Sequence, residues 1–302
     1  MEPAASVIVP VRNGGRDFAT LVEALAAQTL PRERFEVVVG DDGSTDGATD
    51  GIETEDGWLR VLRGPRLNSY AARNRAAQAA RSRTLAFCDA DAIPDSAWLE
   101  AGLAALDNAD VVAGLIRFVL PERLTVWSFL DMDMFLDQER AVRTGRAVTA
   151  NLFVRRDLFE EVGAFDESLP NTGDFDFVRR CVEGGAKLHL ARDALVWHPT
   201  RNSCSAVLRK VWAVNRRHAA RESRVGRRPD GLRIRSWIPV VQKLRGRRRV
   251  GRSIGLDRQR LRENGVSPSL LDDLRALPFI YLVFPYTACV AQLYGWREGR
   301  RQ

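Results

Sequence analysis

From residue 6 to about residue 115 the chain alternates short β-branched, apolar runs with segments whose apolar residues recur at helical spacing, and this alternation leaves few folds open. Residues 6–10 read as a first strand, Phe18, Leu21, Val22 and Leu25 then mark one face of a helix, and residues 35–39 form a second apolar run bounded by turn residues. Ser69 is placed to cap a helix reaching about residue 81, residues 84–88 are another strand, and a helix over 96–106 precedes the run 110–116. This order predicts an α/β unit, a Rossmann-like parallel sheet with helices on both faces. Further on, 126–142 reads as helix, 147–154 as extended, and 157–162 and 174–183 as helices. The expected division is an α/β domain over 1–205 and a helical, basic extension over 206–302.

Acidic residues fall directly after three of these segments. Asp41 and Asp42 open the loop Asp41-Asp42-Gly43-Ser44-Thr45-Asp46-Gly47 behind the second strand. In open α/β sheets ligands bind at the carboxyl ends of strands, where carboxylates can accept hydrogen bonds from a base or ribose; a plain polar turn uses the same residues. Asp89-Ala90-Asp91 follows the strand ending at Cys88, and residues two apart in extended backbone point the same way, so the pair can converge on one hard cation. Asp174, in Gly173-Asp174-Phe175-Asp176-Phe177, either caps a helix or, desolvated by Phe175 and Phe177, acts as a general base. His198 ends the apolar run Leu195-Val196-Trp197 and offers an imidazole beside carboxylate and diphosphate oxygens.

Taken in order, these pieces resemble the family 2 glycosyltransferases, inverting enzymes of the GT-A fold. The resemblance rests on Val7 to Asn13, Asp41 to Asp46, Ala72-Arg73-Asn74, Phe87 to Asp91 with Pro94-Asp95, Asn151 to Arg156, Gly163 to Glu167, and Gly173 to Asp176, and covers roughly residues 5 to 200. It implies a nucleotide-sugar pocket lined by Pro10, Val11, Asn13, Asp41, Asp42 and Arg73, with Asp89 near the ribose or the metal. It also implies Mg²⁺ or Mn²⁺ on Asp91 and His198, and a catalytic base at Asp174 or Asp176. Asp174 matches the second position of the family's acidic pair and is preferred. Arg12 stands where the family often has an aromatic residue, and Gly173 where it often has an acid. No Gln-x-x-Arg-Trp sequence follows residue 200, which argues against a processive polysaccharide synthase. The expected reaction moves a sugar from a nucleoside-diphosphate donor, a UDP-sugar first, to a hydroxyl of a glycan or lipid-linked acceptor.

Charge is unevenly spread. Of 46 Lys plus Arg in 302 residues, 20 lie between Arg201 and Arg262, against only Glu222, Asp230 and Asp257, while 276–296 carries no charge at all. A basic stretch followed by an aromatic-rich apolar one predicts peripheral attachment to an anionic membrane face. Pro285 and Gln292 favour an interfacial helix over a span, with Trp237, Tyr281, Tyr286, Tyr294 and Trp296 as interface residues. The alternative is a helical subdomain packed on the catalytic domain. Cys88, Cys181, Cys204 and Cys289 form no Cys-x-x-Cys pair, and Met1 is not followed by a signal-peptide pattern, so a cytosolic location is expected.

Three competing readings are weaker. A sugar nucleotidyltransferase would carry a Gly-rich, basic N-terminal signature, of which Gly14-Gly15-Arg16 is a faint echo. A nucleic-acid binder using the Arg-rich stretch leaves the ordered acidic motifs unexplained. An inactive scaffold of the same fold would lack metal-dependent donor binding.

Overall fold

Each strand of the N-terminal half sorts its side chains by the two-residue period of β-structure, and the sort builds two cores. In β1 (Ala5–Val11) Val7, Val9 and Val11 enter one core and Ile8 the other; in β2 (Phe35–Asp41) Val37 and Val39 oppose Val38. The first core is closed by Phe18, Leu21 and Leu25 of α1 (Gly15–Ala26) and by Trp98 and Leu99 of α3 (Trp98–Leu106). The second holds Tyr70 of α2 (Ser69–Gln78), Phe159 of α6 (Arg156–Glu161) and Phe177 of α7 (Gly173–Glu183), with Phe87 and Phe165 between them. The computed structural model describes residues 2–169, 172–224 and 255–300.

Eight strands form one sheet in the order β3-β2-β1-β4-β7-β6-β8-β5, where β3 is Leu59–Arg63, β4 Thr84–Cys88, β5 Ile93–Pro94, β6 Val111–Val119, β7 Asn151–Arg155 and β8 Leu188–Pro199. The sheet is parallel across β3, β2, β1 and β4, and the neighbours β6 and β8 also run the same way, with the Asp110 amide on the Lys187 carbonyl at their starts and Asn151 bridging the Leu115 and Ala194 carbonyls further along. β7 runs antiparallel to both β4 and β6, and β5 antiparallel to β8, so the parallel core read from residues 6–115 is extended into a mixed sheet.

Three local expectations also change. The α2 cap is Asn68, whose side chain accepts from the Tyr70 and Ala71 amides, so Ser69 lies inside the helix, which stops at Gln78. The helix expected over 126–142 is two, α4 (Val126–Met134) and α5 (Gln138–Arg143), separated by Leu136 in the left-handed region at φ 54°. The extended segment expected over 147–154 is paired only from Asn151.

Packing divides the chain into two compact units. One comprises 1–117, 136–167 and 172–199 and holds the acidic motifs; the other comprises 118–135, 168–171 and 200–302. In the second, α8 (Cys204–Arg224) is followed, among the described residues, by helices Arg258–Glu263 and Leu270–Pro278, a π turn at Phe279–Val283, and helix Phe284–Gly299. Residues 225–254, the middle of the Arg-rich stretch with Trp237, lie outside the described residues.

Candidate active site

Pro10, Val11, Asn13, Asp41, Asp42, Asp89, Asp91 and His198 lie at or just past the carboxyl ends of β1, β2, β4 and β8, and Arg73, Asp174 and Asp176 on helices α2 and α7. Register places Val11 opposite Asp41, so the loops leaving β1 and β2 emerge side by side. They are tied together. Asn13 sits at φ 53°, a region Asn tolerates better than most residues; its amide donates to Ser44 Oγ at 3.0 Å, and its side-chain oxygen accepts from the Thr45 amide at 2.8 Å. Pro10 is half-buried, and the buried Val11 carbonyl accepts from the Asp42 amide at 2.9 Å.

Asp41 is an internal organiser of its loop. Its two oxygens accept from the Ser44 amide and the Thr49 hydroxyl, at 2.8 and 2.7 Å. Burial acts to raise its pKa, but these bonds outweigh it and hold the carboxyl below its ordinary value. Asp42 uses Oδ1 to accept from the Leu67 amide at 2.7 Å, and no protein group among the described residues hydrogen-bonds its Oδ2.

The second group forms where β5 meets β8. Ile93 pairs with Trp197, which sets His198 against Asp91 with Nε2 3.3 Å from Oδ1. The His198 Nδ1 lies 3.0 Å from the Pro199 carbonyl, which can only accept, so Nδ1 carries the proton and Nε2 faces the carboxylates. Burial disfavours the imidazolium, yet Asp91 and then Asp89 outweigh it and raise the His198 pKa. One ligand atom from each of Asp89, Asp91 and His198 lies within 4.8 Å of the others. Two carboxylates and one imidazole at that spacing are a donor set suited to Mg²⁺ or Mn²⁺.

The third group hangs on α2. Buried Arg73 donates from a terminal guanidinium nitrogen to Asp89 Oδ1 at 2.5 Å, while its buried Nε has no hydrogen bond among the described residues. One turn earlier, the Tyr70 hydroxyl donates to Asp174 Oδ1 at 3.2 Å. Burial, then the neighbouring Asp174 carboxylate, pushes the Tyr70 pKa well up, so it stays a donor. Asp174 occupies the first turn of α7 without capping it, and Oδ1 also accepts from the Phe175 amide at 2.9 Å. Burial raises its pKa to about 6, against the lowering pull of the Phe175 amide, Arg73 and Tyr70. Phe177 is a core residue packed on Phe165, and the aromatic group that contacts Asp174 is Tyr70, which the sequence reading missed. Tyr70 also explains Gly173, because a Cβ there would lie 2.9 Å from the Tyr70 ring.

Asp176 is differently placed. It accepts from Arg179 at 2.7 Å and Arg180 at 2.9 Å on the flank of α7. Partial burial would raise its pKa, but the two arginines hold it below the ordinary value. Other residues of the sequence motifs are clamps. Asn74 accepts from the Phe165 amide and donates to the Phe165 carbonyl and to Glu167. Asn151 accepts from the Trp98 indole and donates to the carbonyls of Leu115 and Ala194.

Comparison with known proteins decides the family. The family model described as "Glycosyl transferase family 2" matches residues 6–163, over half of the chain. The chain belongs to glycosyl transferase family 2. Its relatives include the glycosyltransferase AglE of Haloferax volcanii, 34% identical over 209 residues covering 66% of this chain and 68% of that protein. The pre-mycofactocin glycosyltransferase of Mycobacterium tuberculosis is 28% identical over 211 residues, covering 65% of this chain but only 43% of that protein.

Solved structures with the same fold include a mannosyltransferase from Pyrobaculum calidifontis in complex with GDP-Man and Mn²⁺, with TM-score 0.59, 18% identity, and coverage of 99% of this chain and 88% of that one. S. aureus TarS 1–349 in complex with UDP-GlcNAc gives TM-score 0.55, 20% identity, and coverage of 98% and 92%. The fold of this family 2 glycosyltransferase is therefore GT-A. The family match ends before Asp174 and His198, so what can be said of those two residues comes from their geometry.

Proposed function

We propose that this family 2 glycosyltransferase transfers a sugar, with inversion, from a nucleoside-diphosphate donor to an acceptor hydroxyl, with Asp174 as general base. The donor is taken as a UDP-sugar first and the acceptor as a glycan or lipid-linked hydroxyl, with the enzyme peripheral on a cytoplasmic membrane face. The observation that carries the reading is one helix, α2, touching both halves of the chemistry: Arg73 on Asp89, and Tyr70 on a carboxyl whose pKa is raised to about 6.

At neutral pH such a carboxyl is ionised yet basic enough to accept a proton, the compromise a general base needs. Asp174 takes the acceptor proton as the acceptor oxygen bonds to the anomeric carbon; the bond from that carbon to the diphosphate breaks, and the nucleoside diphosphate leaves from the opposite face. Asp91 and His198, with Asp89, would hold Mg²⁺ or Mn²⁺, which when bound stabilises the charge on the departing diphosphate. Arg73, short of one hydrogen-bond partner at Nε among the described residues, adds positive charge beside the same place. Pro10, Val11, Asn13 and Asp42 line the nucleotide side, and Asp41 acts by shaping their loop. Asp176, already held by two arginines, is not the base in this scheme.

The test is thermal stabilisation by UDP, GDP, CDP and dTDP with and without Mn²⁺, on wild type and on Asp91→Ala. The expected result is metal-dependent stabilisation by one nucleotide that the variant loses. A complete absence of shifts in the wild type would overturn the donor-site assignment.

A further inference from the structure

One helical stretch among the described residues, Leu270–Gly299, is long and apolar enough by length and composition to cross a membrane. Its two faces have different neighbours. One is pressed against α8 at backbone distance, since a Cβ on Gly295 would sit 1.9 Å from the Arg216 carbonyl oxygen and one on Gly299 would sit 2.2 Å from that of Ala220. The contact is polar as well as close. Arg216 donates twice to the Glu298 carboxylate, both at 2.9 Å, Gln292 donates to Asn215 at 3.1 Å, and the Ser223 hydroxyl donates to the Trp296 carbonyl at 2.9 Å.

The opposite face is apolar and open. Leu274, exposed Pro278, Leu282 and Tyr286 form a row at four-residue steps, in which Leu274, Leu282 and Tyr286 are 62%, 55% and 70% exposed. Such a row drifts by about 40° per step around an α-helix, and the wider π turn at Phe279–Val283 takes up part of that drift. The result is a stripe about 18 Å long. Exposed cations lie on the same helices: Arg275 and Arg297 on this stretch with Arg300 just past it, and Arg209, Lys210 and Arg217 on α8. The sequence from 225 to 254 adds ten Lys plus Arg against Asp230 alone.

We propose that this stripe lies in the interface of an anionic phospholipid membrane, with Leu274, Leu282 and Tyr286 inserted and these cations on lipid headgroups, and that the helix does not span. The argument against spanning is its partner. α8 cannot be separated from Phe284–Gly299 without breaking the glycine contacts, and it would carry Arg209, Lys210, Arg216 and Arg217 into hydrocarbon. An apolar row with cations on the same helices is what an anionic interface binds. The proposal rests on and deepens the peripheral placement proposed above, and is independent of the donor-site reading.

The test uses the full chain in flotation with vesicles of phosphatidylcholine alone and of phosphatidylcholine with about one third phosphatidylserine. Wild type is expected to float with the anionic vesicles, less in high salt, and to be released by alkaline carbonate. Leu274→Glu/Leu282→Glu alters only exposed positions, and circular dichroism checks its fold; its partition is expected to fall at least ~10-fold. In a Tyr286→Trp protein the indole emission should shift to the blue on vesicles and be quenched by shallow lipid-borne quenchers more than by deep ones. Equal flotation of the double variant would overturn the proposal, leaving the arginines sufficient. So would resistance to carbonate with deep quenching, which means a span. A wild-type dimer that the double variant loses, with no flotation of either, would assign the stripe to a second copy instead.

Discussion

Replacing Asp174 by Asn should make the protein inactive and more stable at the same time. The amide keeps an oxygen for the Tyr70 hydroxyl and the Phe175 amide, so the local geometry survives. What disappears is a carboxyl whose pKa is raised from 3.8 to about 6, chiefly by burial. An acid with a raised folded-state pKa contributes stability that is fully present below its unfolded value and lost as pH rises through the folded one. At about 1.4 kcal/mol per unit, the loss above pH 7 has a ceiling of ~3 kcal/mol; because the side chain is only half-buried, ~1–2 kcal/mol is the working figure. Linkage leaves roughly half of that at pH 5 and almost none below pH 4.

The assay is thermal unfolding of wild type and Asp174→Asn across this range, with sugar transfer measured alongside. At ~2–4 °C per kcal/mol the variant should melt about 2–8 °C higher at pH 7.5, with the gap closing as pH falls towards 4. Transfer should fall ~10²- to 10⁴-fold with donor binding unchanged. A variant no more stable than wild type at pH 7.5, or a gap of the same size at pH 4, would refute the burial argument. An equal loss of donor affinity would refute the assignment as base.

Asp176→Asn removes two flank ion pairs of α7 and should leave transfer within about threefold of wild type, since such partly exposed pairs contribute ~1 kcal/mol or less; a loss matching that of Asp174→Asn would move the base to Asp176. Tyr70→Phe deletes a hydrogen bond that lowers the Asp174 pKa, so the acidic limb of the kcat/KM profile should move up by a fraction of a unit to about one unit, with the deficit larger at pH 6 than at pH 8. Gly40→Ala puts a Cβ 2.2 Å from the Ala72 carbonyl oxygen, a backbone atom that cannot step aside. Its denaturant midpoint should drop by the equivalent of ~1–3 kcal/mol, and an unchanged midpoint would show that α2 can lift from β2.

The legible parts of the sequence were those governed by local periodicity. Ser6 to Pro10, Phe35 to Val39 and Thr84 to Cys88 announced strands, and the acids behind them pointed to a candidate site, because strand ends and ligand sites coincide in such sheets. The direction of β7 was not legible, since an apolar run looks the same parallel or antiparallel. The break at Leu136 was hidden because no Gly or Pro marks it. Asp174 and Asp176 could not be told apart from spacing; Tyr70 on one side and Arg179 with Arg180 on the other separate them, and Tyr70 is 104 residues away from the acid it touches. Nor did spacing show that Asp41 spends both oxygens on Ser44 and Thr49.

Helix α2 was legible as a helix but not in its orientation, and it ties the most together. Tyr70, Ala71, Ala72, Arg73, Asn74, Ala76 and Ala77 are all buried, so no polar face stands against an apolar one to reveal its orientation. Within two turns it supplies Tyr70 to Asp174, Arg73 to Asp89, Asn74 to the Phe165–Glu167 turn, and Arg75, which donates to the Asp41 carbonyl at 2.6 Å. Its height over the sheet is fixed by the contact of Ala72 with Gly40. A displacement of α2 would therefore move the proposed base and the proposed metal side together. A buried arginine whose Nε is unbonded among the described residues is costly for stability alone, about 1–3 kcal/mol for an orphaned donor. That cost is intelligible if the position of Arg73 answers to a diphosphate beside Asp89, and a donor analogue lacking the diphosphate should then gain nothing from Arg73 that Arg73→Ala would remove.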